Sequence, residues 1–224
     1  MPSSFRQSAF SFFSRPLVGR EDFLTADCNA EAVALIDSVP NDNFSAALII
    51  GDKGCGKTHL CHLFADSVFR KTGEKAAFLP EPCLTDARFA VWEATFPFDE
   101  EALFHLLNDI RSKKGFLLMT ADRHLSAWNV ALPDLRTRLL SVPSVEIAQP
   151  DEAVLTAVLL KLFADRQLTV APDVIAYILK HAERSFAAAG ELVERADALS
   201  LETKKAVSVQ LIRKILNEVS ENKD

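Results

Sequence analysis

The chain has 224 residues, 49% of them hydrophobic, and its 31 acidic and 25 basic side chains give a formal net charge of −6. That length admits one large domain or two small ones around a sizeable core. No apolar run is long enough to span a bilayer, and Arg6 and Arg15 interrupt any apolar signal core at the N-terminus. The acidic balance argues against a broad, sequence-blind grip on nucleic acid, though it leaves room for a local basic patch. A cytoplasmic protein is expected. The four cysteines, Cys28, Cys55, Cys61 and Cys83, show neither C-x-x-C pairing nor zinc-like spacing and read as reduced thiols.

Residues 1–14 are rich in Ser and Phe and read as a flexible arm. Within it, Gln7 is followed by apolar side chains at Phe10, Phe12 and Phe13, a pattern that suits an extended peptide laid into a hydrophobic groove. Spacing alone favours a tail whose Phe side chains pack on the protein's own surface. Arg15 to Asp27 predicts a loop or short strand. Asn29 then caps a helix through about Asp37, and Pro40 to Phe44 predicts a turn.

Ala46 to Ile50 is a run of five apolar residues bounded by turn-formers, as in a buried parallel strand. The next residues fit G-x-x-x-x-G-K-[ST]: Gly51, Gly56, Lys57 and Thr58, with Lys53, Gly54 and Cys55 between them. After Thr58 and His59 the pattern is helical to about Gly73. Strand, glycine loop and helix start are the context a phosphate-binding loop requires. Glycines let main-chain N–H groups turn around phosphate oxygens, and the helix N-terminus adds partial positive charge. Lys57 would meet the β- and γ-phosphates, and Thr58 would offer its hydroxyl to Mg²⁺. Cys55 lies where a helix N-terminus can lower a thiol pKa, although a small loop filler is the plainer reading.

Further on, Ala76 to Leu79 predicts a short buried strand, Phe89 to Trp92 a second and Phe116 to Met119 a third. Helices are predicted from Asp99 through Ile110 and from Pro133 through Leu140, with a short strand at Val145 to Ile147. Strands alternating with helices imply a mostly parallel sheet. After Pro150, residues 151–165, 173–181, 186–200 and 208–219 all show helical periodicity with no strand between them. The expected organisation is therefore an arm over 1–14, an α/β nucleotide-binding unit over 15–149 and a helical lid over 150–224.

A phosphate-loop enzyme needs a carboxylate at a neighbouring strand tip for Mg²⁺ and usually another acid to orient the attacking water. Glu93 follows four apolar residues and is the metal-side candidate; an ordinary strand-end charge is the competing reading. The next position is Ala94, which orients no water, so nucleotide binding is better supported than fast hydrolysis. Asp122, just past the next strand end, is the candidate near the γ-phosphate, with a turn cap as the other reading. Arg136 and Arg138 share a short helix; a guanidinium there can neutralise a transferring phosphate in cis or across an interface, or can simply face solvent.

Together, Arg20 to Leu24, Asn29-Ala30, Gly51 to Leu60, Asp99 to Ile110, Leu117 to His124 and Leu132 to Leu139 resemble the DnaA-like branch of AAA+ proteins, most closely its Hda group. The resemblance implies a parallel P-loop sheet flanked by helices and followed by a small helical lid. It implies ADP or ATP with Mg²⁺, and adenine held between Pro16, Leu17, Val18 and the lid. Asp122 falls at the sensor-1 position, and Arg138 at the arginine finger acting in trans. The Hda group docks an N-terminal motif on the DNA polymerase sliding clamp; Gln7, Phe10 and Phe12 match that motif and Ser8 departs from it. Such proteins stimulate ATP hydrolysis by the initiator DnaA and so limit re-initiation. Nucleotide-linked self-association is also expected of the group. The pair of acids reads Glu93-Ala94 here, and the lid position of the sensor-2 arginine falls at Ala187, with Arg184 out of register. No DNA-reading helix-turn-helix follows the lid, so direct sequence-specific DNA binding is not expected. The rival expectations are an autonomous AAA+ ATPase that remodels or loads a partner, and an adaptor that recruits DnaA.

Overall fold

A computed structural model of the protein describes residues 24–40 and 43–221, with backbone alone for 219–221. The arm with Gln7, Phe10, Phe12 and Phe13, and the segment Pro16 to Val18, lie outside the described residues.

The predicted alternation of strands and helices is present. Helix α1 (Ala30–Asp37) precedes strand β1 (Ala46–Ile50) and helix α2 (Lys57–Thr72). Then come β2 (Ala77–Leu79), β3 (Phe89–Glu93), α3 (Glu100–Ser112), β4 (Phe116–Ala121), α4 (Pro133–Leu140) and β5 (Ser144–Glu146). The strands form one parallel sheet in the order β2-β3-β4-β1-β5. Central strands β1 and β4 are buried along their whole length, which is why they read as unbroken apolar runs rather than alternating ones. Side-chain alternation divides the core. Ala47, Ile49, Val91 and Leu118 pack against α1 and α2. Leu48, Ile50, Trp92 and Met119 pack against α3 and α4. On that second face Trp92, Phe96, Phe98 and Trp128 meet edge to face at centroid distances of 5.2–6.1 Å, contacts worth about 0.5–1.5 kcal/mol each beyond burial.

The remaining helices, α5 (Glu152–Asp165), α6 (Pro172–His181), α7 (Phe186–Thr203) and α8 (Val209–Glu221), enclose a separate core of Leu159, Phe163, Ile178, Val193, Ala196 and Ile212. Asp151 and Ser185 cap α5 and α7, each side chain accepting the N–H three residues on.

Three local expectations need correction, and one element is new. Strand β2 is partly exposed, because among the described residues it forms an edge of the sheet with a neighbour on one side alone. Strand β5 begins and ends one residue early, although the Ile147 N–H still donates to the Ile50 carbonyl at 2.8 Å. Asn29 stands at the N-cap of α1 but its side chain does not cap. Its Oδ1 accepts from the Ala26 N–H at 2.9 Å and its Nδ2 donates to the Leu24 carbonyl at 3.1 Å, bracing the preceding turn. A short 3-10 turn at Leu125–Ala127 carries no periodic signal and was not expected.

Two glycines give opposite expectations. A Cβ on Gly115 would lie 1.8 Å from the Arg88 carbonyl oxygen, main chain that cannot step aside, whereas one on Gly190, inside α7, would meet nothing within 4 Å. Gly115→Ala is expected to lower stability by about 3 kcal/mol or more. Gly190→Ala is expected to raise it by about 0.5–1 kcal/mol. Urea unfolding midpoints measure both, and a tolerated Gly115→Ala would contradict the packing of β3 on β4.

Candidate functional site

The register of the sheet brings four strand tips together. Ile50 lies opposite Ala121 on one side and Glu146 on the other, and Thr120 lies opposite Glu93. The loop after β1 leaves the sheet here, its Gly51 N–H donating to the Ala121 carbonyl at 3.1 Å. Gly54 and Gly56 have φ of +83° and +101°, left-handed conformations in which a side chain is strained. Gly56 forms the N-cap of the 16-residue helix α2. Lys57 follows, its Nζ donating to the Gly51 carbonyl at 2.7 Å and the Asp52 carbonyl at 2.9 Å. Two of the three ammonium donors thus brace the loop, and one remains for a ligand. Left-handed glycines, a helix N-terminus and a lysine in one turn are the donor set a polyphosphate requires.

The oxygens suited to a hard cation lie next to it. Thr58, on the first turn of α2 with half-buried His59 beside it, donates through Oγ1 to Glu93 Oε2 at 3.2 Å. Hydroxyl and carboxylate together can offer a hard cation one direct and one water-mediated ligand beside phosphate oxygens. Ala94 stands where a second acid would be, and its N–H closes onto the Thr120 carbonyl at 2.7 Å. Among the described residues no three His, Cys, Asp or Glu side chains form a metal cage.

Asp122 immediately follows Ala121, the residue whose carbonyl anchors Gly51. Its exposed carboxylate accepts from the Arg123 guanidinium at 2.8 and 3.3 Å, which holds its pKa below the usual carboxylate range. Arg123 in turn lies 4.5 Å over the Phe96 ring. Sequence reasoning missed Thr120, the buried polar side chain at the tip of β4, which touches the thiol of Cys61. A single hydroxyl residue ending an apolar run was its signal.

Cys55 is no activated thiol. Burial pushes its pKa up, outweighing the opposing charge of Lys57, and its Sγ lies where a Cβ on Gly51 would come within 2.6 Å. It fills the floor of the loop. Cys61 is fully buried, and burial followed by the nearby Glu93 charge pushes its thiol up to about 12.

Helix α7 closes on this loop. The Ala187 N–H donates to the Gly54 carbonyl at 3.1 Å. A Cβ on Gly54 would stand 3.0 Å from the Ala187 Cβ and 3.1 Å from the Ser185 Oγ, and Phe186 approaches Gly56. Gln149 Nε2 donates to Asp52 Oδ2 at 3.1 Å from the chain segment leading into the helical bundle. Small side chains at 185 and 187 permit this approach. Arg184 points away to an exposed ion pair with Glu152 at 3.7 Å.

Arg138 is not brought to this cluster. It lies half-buried on α4, 5.5 Å over the Phe104 ring, and shares a groove with Ser45, Ala46 and Gly115. Those residues mark the opposite end of β1 and β4, roughly 13 Å of strand away from Ile50 at about 3.3 Å per residue. Arg136 is structural: its Nε and one terminal nitrogen donate to the Val130 carbonyl at 3.1 and 2.8 Å.

Comparison with known proteins agrees with this geometry. No family model matches the chain. An uncharacterized protein of Haemophilus influenzae is 26% identical over 189 residues, 75% of this chain and 80% of that protein. The chromosomal replication initiator DnaA of Cutibacterium acnes is 22% identical over 218 residues, 85% of this chain; the chain spans 43% of that initiator's length. Among solved structures, domain III of Thermotoga maritima DnaA superimposes with a TM-score of 0.77 at 15% identity, over 91% of this chain and 97% of that one. AMPPCP-bound DnaA from Aquifex aeolicus gives 0.70 at 15% identity, over 93% and 71%. The chain has the DnaA-like AAA+ fold. Among the described residues no helix is long and apolar enough to cross a membrane.

The thiols give a direct check. At pH 8, iodoacetamide is expected to modify exposed Cys83 and to leave Cys61 untouched until the protein unfolds. Because the native pKa of Cys61 is raised from 9.0 to about 12, the unfolded chain releases that proton first. The corresponding stability is complete below pH 9 and is lost between pH 9 and 12. Cys61→Ala should flatten that decline in urea unfolding; an unchanged decline would contradict the burial of the thiol.

Proposed function

We propose that this protein is an Hda-like regulator of chromosome replication that acts in the cytoplasm. In this reading residues 15–149 bind ADP or ATP with Mg²⁺, and residues 150–224 form the lid. The phosphates lie on Gly51, Lys53, Gly54, Cys55, Gly56, Lys57, Thr58 and His59. Thr58 and Glu93 hold the metal, and Pro16 to Val18 with the lid hold adenine. A bound nucleotide supplies the negative charge that Lys57 and the α2 N-terminus neutralise and the base that joins lid to loop. The N-terminal arm, through Gln7, Phe10, Phe12 and Phe13, docks on the sliding clamp. Arg138 enters the nucleotide site of DnaA and stimulates hydrolysis there, with Asp122 in the sensor-1 role on this chain's own nucleotide. Nucleotide-linked self-association belongs to the same reading.

The observation that carries it is the separation of two parts. The phosphate loop is complete, but Glu93, the acid bonded to its Thr58, is followed by Ala94 where a water-orienting acid would stand. Arg138 lies at the far end of the sheet, beyond reach of this chain's own loop. A protein so built grips nucleotide in one place and offers a guanidinium to another molecule elsewhere. The AMPPCP bound to the Aquifex aeolicus DnaA neighbour supports adenine nucleotide as the ligand class. An arginine finger supplied in trans contributes a rate factor of about 10³ to 10⁵, so a poor ATPase can be a strong activator.

The test is hydrolysis by DnaA in the presence of clamp loaded on DNA. Arg138→Ala is expected to remove most of the stimulation without weakening nucleotide binding to this chain. Deletion of residues 7–13 is expected to abolish retention on the clamp. Undiminished stimulation by Arg138→Ala, or full retention without the arm, would reject the corresponding role.

A further inference from the structure

We infer that the groove around Arg138 is a three-cation anion site, formed with Arg111 and Lys114, that takes the terminal phosphates of a nucleotide held by another protein. The inference rests on the reading of Arg138 as acting in trans and adds two residues that the reading lacks.

The groove encloses about 490 Å³. Its floor is apolar, with Leu107 from α3, Ala46 from β1 and Val142 from the turn after α4. Its cations arrive from separate places: Arg111 from the last turn of α3, Lys114 from the tight connection to β4, and Arg138 from the last turn of α4. Lys114 has φ of +51°, a left-handed turn that carries its side chain out of the line of α3. Among the described residues none of the three cations has a carboxylate at ion-pair distance. The adjacent basic residues do: Lys113 bonds Asp109 at 2.6 Å and Arg88 bonds Glu74 at 2.5 Å. In a chain of net charge −6, three uncompensated cations around one concavity form a local positive field that favours a compact anion.

Two features narrow the ligand. This chain's own phosphate loop opens at the other end of the sheet, so its own nucleotide does not reach the groove. A single-strand nucleic-acid groove tracks many phosphates and stacks bases on aromatic faces. Here three cations line one short groove, and Phe44, the one aromatic side chain of the lining, is packed edge-on against Phe116. The geometry suits the clustered charge of a triphosphate end, with Arg138 as the guanidinium clamp and Arg111 and Lys114 as flanking charges.

Inorganic tripolyphosphate is titrated into the full chain carrying Lys57→Ala, which silences the phosphate loop, while the backbone amides of Ser45, Gly115 and Ser141 are followed by NMR. Saturable shifts are expected, with affinity at least about fivefold weaker for Arg111→Gln and for Lys114→Asn and further weakened by salt. Both side chains are exposed and Asn tolerates a left-handed backbone, so neither substitution threatens folding. Absent shifts, or shifts indifferent to both substitutions, overturn the inference, as does tighter binding of a short single-stranded oligonucleotide than of tripolyphosphate. In the DnaA hydrolysis assay, Arg111→Gln with Lys114→Asn is expected to lower stimulation at least tenfold with Arg138 intact. Stimulation that survives this double substitution but not Arg138→Ala overturns the three-cation site alone. Stimulation that survives Arg138→Ala overturns the underlying reading.

Discussion

Two left-handed residues, Gly54 and Gly56, are the constraint on which the rest depends. They let the chain leave the buried strand β1, turn tightly, and begin α2 at Lys57. That turn gathers a helix N-terminus, main-chain amides and an ammonium at one strand tip. It works only because the sheet register sets β4 and β5 against the same tip. The bonds from Gly51 to Ala121 and from Ile147 to Ile50 tie the base of the loop on both sides. Gly54 serves a second end: its carbonyl receives the Ala187 N–H of α7. The lid is thereby joined to the phosphate loop by main chain. Movement of Gly54 on ligand binding would reach the lid directly, with no arginine at position 187 required.

Much of the fold was legible because its signals are local. Ala46 to Ile50 and Phe116 to Met119 are apolar without alternation because both faces of each strand are covered. Asp99 precedes a helix and caps it, accepting from the Ala102 N–H at 3.0 Å. What escaped depends on neighbours. The exposure of β2 follows from its place at the sheet edge. Asn29 has the composition of a cap, yet tertiary context turns its side chain back to Ala26 and Leu24. Cys55 sits where a helix dipole could have activated it, and burial against Gly51 wins.

The site divides in the same way. The glycine loop, Lys57 and Thr58 occupy one continuous stretch and needed no structure to find. Glu93 was a candidate by strand position, and its bond to Thr58 crosses 35 residues of sequence. Glu100 stands in the first turn of α3, and its carboxylate accepts the Ala131 and Leu132 N–H groups at 2.9 and 2.6 Å. It thus fixes where α4 begins and so where Arg138 emerges. That role rests on a contact 31 residues away and leaves no periodic trace. Nor does the meeting of Arg111 and Lys114, near neighbours in sequence, with Arg138 from a later helix in one groove.

The central claim is that the cradle binds an adenine nucleotide and does little to split it. Equilibrium titration of the isolated chain with Mg²⁺ and ATP, followed by a single-turnover chase on the complex that forms, tests both halves at once. The account predicts saturable binding that requires Lys57, with the bound ATP recovered intact over minutes. Failure to bind, or rapid release of phosphate by the chain alone, would contradict it.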